Sequence, residues 1–193
     1  HIGMNFNLYV DGLGLLFSLL ITGIGSLVVL YSIGYLSKSE QLGNFYCYLL
    51  LFMGAMLGVV LSDNFIILYL FWELTSFSSF LLISFWREKK ASIYGAQKSL
   101  IITVLGGLSM LGGIILLSLA TDTFSIQAMI SKASDIQNSP FFILAMILFM
   151  IGAFTKSAQV PFYIWLPDAM EAPTPVSAYP VSYTHLRAHE TLR

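Results

Sequence analysis

An all-α membrane protein, a bundle of five to six transmembrane helices with one of them discontinuous, is the fold class this sequence predicts. Hydrophobic residues make up 57% of the 193-residue chain and charged residues 10%, where a soluble domain carries about 25% charged residues. Mean hydropathy is +0.81, so there are too few charges to face water on every side. The apolar residues are gathered into near-continuous runs instead of alternating with polar ones, which favours helices over barrel strands, since each helix satisfies its own backbone in lipid. One run is interrupted by Pro161, and a proline both withholds a donor and clashes with the preceding turn.

These proportions favour transport or energy coupling over soluble catalysis. The net charge is −1, and no basic patch suggests nucleic acid. Cys47 is the sole cysteine, which excludes an internal disulfide or a cysteine metal cluster. No covalent chemistry, metal or nucleotide motif is present, so no cofactor is expected. The chain opens at His1 without the n-region, h-region and cleavage site of a signal peptide. It reads as an internal piece of a longer protein.

The first predicted span runs from about Leu13 to Leu36, after Asp11 and Gly12. The second, Phe45 to Leu61, is about 17 residues, near the lower limit for crossing a bilayer. The third fills Asn64 to Trp86, with Asp63 or Asn64 as the N-cap. The fourth, Ile93 to Ala120, carries Gly106, Gly107, Gly112 and Gly113, small residues that let membrane helices approach closely. The fifth begins at Phe141, after Pro140, and stays apolar to Phe154. Lys38, Arg87, Lys89 and Lys90 fall on one side, and Lys132 falls on the other beside Asp122 and Asp135. That asymmetry puts the loops Ser37–Asn44 and Arg87–Ser92 in the cytoplasm. Thr121–Ser139 is then outside and polar enough to hold a short surface helix.

Three charges lie where charges are expensive. Glu73 is alone in the run NFIILYLFWELTSFSSFLLISFW, roughly 13 Å in from Asn64 at the helical rise and so near the midplane of a ~30 Å core. An ionisable group there costs at least ~2.5–3.5 kcal/mol on the insertion scale. Tyr69 and Ser76 share its helix face, and Thr75, Ser78 and Ser79 spread to other faces. Glu73 is either a proton-accepting carboxylate in a transmembrane path or a polar contact that fixes packing.

Lys156 follows the uncharged run Phe141–Thr155. Pro161 cannot donate to the carbonyl of Ser157, so the helix should break just past Lys156. That puts Lys156 in the last turn of a half-helix, where free carbonyls and the dipole favour a cation. Discontinuous helices with an ion-handling residue at the break are a mark of transporters; a lysine snorkelling to the headgroups is the plainer alternative. Lys98 lies about 9 Å into its helix from the cytoplasmic side, within snorkelling reach, and is otherwise a modulating charge. A Glu–Lys pair whose separation changes can take up and release a proton. Asp168 and Glu171, in Trp165–Glu171, read as a helix end or loop at the interface. Pro173 and Pro175 suggest a turn before another span.

Two strings go further. DNFIILYLFWELTSFSSFLLISFW, followed by GAFTKSAQVPFYIWLPDAMEAPTPVSA, is similar to the antiporter-like subunits of respiratory complex I, the related membrane hydrogenases and the Mrp-type multisubunit cation/proton antiporters. Val10–Leu13 also fits, and the resemblance covers Tyr9 to about Tyr179. It implies a partial antiporter-like fold, helices three to seven of a longer bundle, with an inverted second set downstream. It implies that Glu73 of Trp72–Glu73 belongs to a proton path and that Lys156, in K-S-A-Q, is its proton-transfer partner. Complex I subunits place an arginine or acidic residue on the sixth helix near this pair. Here that region reads AQKSLIITVLGG, and Lys98 is the available charge. The strings look most like the A-subunit branch of the Mrp type.

Residues 1–179 thus form one partial transmembrane domain. Residues 180–193 resemble translated sequencing-adapter sequence and are set aside from the fold. His185 and His189 have an i, i+4 spacing able to bind zinc on a helix, but they fall in that tail. The expected function is a proton-translocating membrane subunit of a multisubunit Na+/H+ antiporter in a bacterial cell membrane. It is a transporter, not an enzyme, with other antiporter subunits, protons, Na+ and lipid as partners. A proton-pumping subunit of NADH-quinone oxidoreductase and a non-transporting scaffold are the alternatives.

Overall fold

The computed structural model describes residues 7–36 and 41–170. The described chain is helical throughout: α1 (Gly12–Tyr35), α2 (Leu42–Leu61), α3 (Phe65–Ile83), α4 (Lys90–Thr121), the short α5 (Ile126–Ser131) and α6 (Ala133–Gln137), α7 (Phe142–Lys156), a 3-10 turn (Phe162–Trp165) and α8 (Leu166–Ala169). Helices α1 to α4 are long and apolar enough to cross a membrane. At 15 residues, α7 extends only about 22 Å and stops short of a ~30 Å core. Lys38 and the rest of 37–40 lie outside the described residues, as do Glu171, Pro173, Pro175, His185, His189 and the whole tail.

The helix ends refine the sequence boundaries. Asn64, not Asp63, caps α3: its Oδ1 accepts from the amides of Ile66 (2.9 Å) and Ile67 (3.4 Å). Helix α2 gains a turn at its start, where Asn44 Nδ2 donates to Gln41 Oε1 at 2.7 Å. The α3–α4 connection keeps its expected length but lies three residues earlier, because α3 stops at Ile83 and α4 already begins at Lys90. Ser92, fully buried, donates its hydroxyl to the freed carbonyl of Ile83 at 2.5 Å, and the Lys89 ammonium sits 3.9 Å over the Trp86 ring.

At the opposite end the connections are tied by short backbone ladders. Leu8 bridges Ser62 and Asn64 bridges Ser125. Asp63 accepts from Ser125 Oγ (3.0 Å) and the Gln127 amide (3.2 Å), fixing the start of α5. Lys132 donates to the terminal carbonyl of α4, Thr121 O, at 2.8 Å. The polar stretch Thr121–Ser139 therefore holds two short helices where the sequence suggested one.

The main core lies between α1, α2, the end of α3 and the start of α4, around Phe45, Leu49, Phe52, Leu82 and Ala96, and it takes in Trp165 and Ala169 of the returning segment. Helix α4 is the axis on which α3, α7 and α8 pack, and its glycines divide the work. A Cβ on Gly106 would overlap Thr155, and one on Gly113 would stand 2.7 Å from the Ala145 carbonyl. These two, seven residues apart and so on one helix face, seat α7. Across the same contact, a Cβ on Gly152 would stand 2.5 Å from Cβ of Met110. Gly107 is turned toward α3, whereas Gly112 has only ordinary clearance, 3.5 Å to Leu148.

Candidate functional site

Glu73 is the ninth of the 19 residues of α3, as expected near the middle of a spanning helix. Its carboxylate lies against α4 at the one position where no side chain stands in the way: a Cβ on Gly107 would overlap Oε1. Oε1 is buried and has no hydrogen-bond partner among the described residues. An orphaned buried carboxylate oxygen is costly, since it has given up water without a replacement.

Lys156 is the last residue of α7, where the proline argument put it. The termination has more detail than that argument. The amide of Gln159 donates to Phe154 O at 3.0 Å and that of Ala158 to Thr155 O at 3.4 Å, the paired bonds of a Schellman motif. Ala158 occupies the left-handed position, φ 50°, which glycine usually fills. The helix thus ends at Lys156, and the chain leaves the helical path at Ala158, three residues before Pro161. Indole Nε1 of Trp165 then donates to Thr155 O at 3.0 Å in a buried contact, closing the returning segment over the helix end.

The Lys156 ammonium reaches α3. It donates to Ser76 Oγ at 2.6 Å and to the Trp72 carbonyl at 3.4 Å, and it lies 5.5 Å from the centroid of the Trp72 ring. Trp72 and Ser76 flank Glu73 in sequence, so the ammonium and the carboxylate share one stretch of α3. No direct hydrogen bond or ion pair joins Glu73 and Lys156 among the described residues. The pair is close and open.

Ser76 is the site residue that sequence reasoning placed on the right face and gave no role. The signal was its i+3 spacing from Glu73. Ser76 makes a long back-bond to Trp72 O at 3.5 Å, but its hydroxyl neighbours make back-bonds alone. Thr75 donates to Trp72 O at 2.7 Å and Ser78 to Leu74 O at 2.8 Å, back-bonds within their own helix. Ser76 is the hydroxyl that accepts from another helix.

Lys98 goes elsewhere. Its ammonium forms an ion pair with Asp168 Oδ2 at 2.6 Å, joining α4 to α8 across a separation of 70 residues. Sequence reasoning considered Lys98 beside the Glu73–Lys156 pair and treated Asp168 as an interfacial loop residue; the fold brings these two to each other. The residue numbers carried no periodic signal for it, because the contact depends on how the chain returns after α7. No group of three or more metal-ligating side chains is gathered among the described residues.

Comparison with known proteins bears on what this arrangement does. A family model described as NADH:quinone oxidoreductase/Mrp antiporter, TM, matches residues 62–186, reaching past Tyr179. A second, the N-terminus of NADH-ubiquinone oxidoreductase (complex I) chain 5, matches residues 1–46. A Na(+)/H(+) antiporter subunit A1 of Staphylococcus epidermidis is 96% identical over 97% of this chain and 24% of its own length. The subunit of that name from Staphylococcus aureus is 86% identical over the same shares. The chain thus spans about a quarter of the length of the curated relatives it matches. Among solved structures, the Mrp complex from Dietzia sp. DQ12-45-1b is similar with TM-score 0.83 and 38% identity, covering 90% of this chain and 19% of that one.

Proposed function

This chain belongs to the NADH:quinone oxidoreductase/Mrp antiporter transmembrane family, and from that premise we propose that it forms part of the proton path in a subunit of a multisubunit Na+/H+ antiporter. The staphylococcal relatives favour the antiporter branch over the quinone-linked one. The observation that carries the reading is the open pair: an unpartnered buried Glu73 oxygen, with the Lys156 ammonium bonded to Ser76 and the Trp72 carbonyl on the same stretch of α3. A scaffold role would favour closing such a pair, since leaving a carboxylate oxygen buried and unbonded costs stability.

In this reading a proton reaches Glu73 within the membrane and is exchanged with Lys156 through ordered water or a small change in separation. Each group stabilises the charged form of the other when the two are close and releases it when they part. Ser76 holds the ammonium on station. The other subunits of the complex and the remaining length of the relatives supply the rest of the path and the Na+ route. We place the protein in the bacterial plasma membrane, with the loops 37–44 and 87–92 cytoplasmic and the stretch 121–139 outside, from the distribution of Lys38, Arg87, Lys89 and Lys90 against Lys132. The full-length subunit carrying Glu73→Gln, assembled in its complex, should lose antiport in inverted membrane vesicles. Wild-type exchange in that variant would sink the role given to Glu73.

A further inference from the structure

The geometry points to Asp168 and Lys98 as a positioning clamp that holds the end of half-helix α7 against α4, and so keeps the Lys156 ammonium in place on α3. The inference rests on the proposed role of Lys156 and adds a regulator of its position. The segment after Lys156 has little stability of its own. It consists of a four-residue 3-10 turn and a four-residue α8, far below the length at which isolated helices persist. Tertiary contacts must hold it.

Three contacts do so. Trp165 bonds the Thr155 carbonyl, one residue before Lys156. The Asp168 backbone is seated directly on Gly95, where any Cβ would overlap its carbonyl oxygen, and Ala96 and Ala169 are buried beside it. The Lys98–Asp168 ion pair at 2.6 Å then bonds the side chain of that same seated residue to the next turn of α4. Helix α4 has 32 residues, about 48 Å, so its ends project beyond a ~30 Å hydrocarbon core and Lys98 lies near the boundary. There the two charges are each about a third exposed, 28% and 36%, and exposed pairs are individually weak. The clamp therefore acts by selecting one docked position of a segment already in contact.

The test uses the full-length subunit in its assembled complex, in a background without other reactive cysteines. Ser157→Cys reports on the helix end by its rate of modification with a small maleimide. Lys98→Gln and Asp168→Asn should each raise that rate roughly fivefold, the scale of an exposed pair worth up to about 1 kcal/mol. Each should also lower antiport turnover while leaving the apparent KM for the cation unchanged. Lys98→Arg, and the exchange of Lys98→Asp with Asp168→Lys, should restore both readouts. Unchanged labelling in both single variants overturns the clamp, as does Lys98→Arg behaving like Lys98→Gln. Retained antiport in Glu73→Gln would reject the proton-path reading instead, and the labelling comparison would still decide the clamp.

Discussion

Lys156 and Lys98 both interrupt apolar helices, and the fold treats them differently. Lys98 meets its carboxylate directly, with 2.6 Å between Nζ and Asp168 Oδ2. Lys156 stops at a hydroxyl and a backbone carbonyl and leaves the nearby Glu73 oxygen unbonded. A closed pair resists change, because separating it strands two charges. An open pair between neighbouring helices keeps both groups available. The difference is also one of depth. Glu73 sits mid-helix, whereas the Lys98 pair lies near the membrane boundary, where water shares the solvation of both charges. The contrast suggests that the fold separates fastening from proton handling and assigns each to its own lysine.

The strongest way to break the contrast is to remove the open pair's cation. Lys156→Ala in the full-length, assembled subunit should abolish antiport, a loss of roughly a hundredfold or more, the scale of removing a positioned acid–base group, measured as cation-driven pH change in inverted vesicles. Next in size is Gly107→Ala. Its methyl would occupy the place of Glu73 Oε1, and displacement of the carboxylate by even an ångström should cost on the order of tenfold or more in turnover. Gly112→Ala, with ordinary clearance, serves as the control and should stay close to wild type. Equal loss in both would show that helix packing, not the carboxylate, is what Gly107 protects.

Ser76→Ala should lower turnover more modestly, by roughly five- to tenfold, on the scale of one typical hydrogen bond of about 1 kcal/mol. Ser78→Ala removes only a back-bond and should leave exchange rates near wild type. Matching defects would erase the distinction drawn between the two hydroxyls. The smallest effect concerns the end of α7. Ala158→Gly relieves a left-handed alanine at φ 50° and should stabilise the helix end by up to about 1 kcal/mol, read as a small rise in the thermal midpoint of the purified complex. A fall would mean that the Schellman geometry does not persist in solution.

Much of this was legible in the residues. The five apolar segments, the Asn64 cap, the mid-helix place of Glu73 and the end of α7 near Lys156 all follow from local rules of composition, capping and proline sterics. What local rules missed is instructive. Pro161 put the break just past Lys156, where it lies, but not the means of closing it: a buried indole and a left-handed residue at Ala158 together satisfy the freed carbonyls. Gly106, Gly107, Gly112 and Gly113 of α4 looked alike in sequence. In the fold, Gly106 and Gly113 receive α7, Gly107 receives a carboxylate, and Gly112 receives no close neighbour. Lys98 had no legible partner, since Asp168 reaches it only after the chain has turned back.

By itself the sequence determined that the chain must be helical and in a membrane, because so few charges leave the backbone no solvent but itself. It also determined that Glu73 and Lys156 were anomalies demanding a reason, because ionisable groups in hydrocarbon are costly wherever the helices pack. Only the tertiary structure decided which charges meet. That depends on the close approach of α4 to α3, α7 and α8 at particular glycines, and close approach is a property of surfaces in contact that no single helix contains.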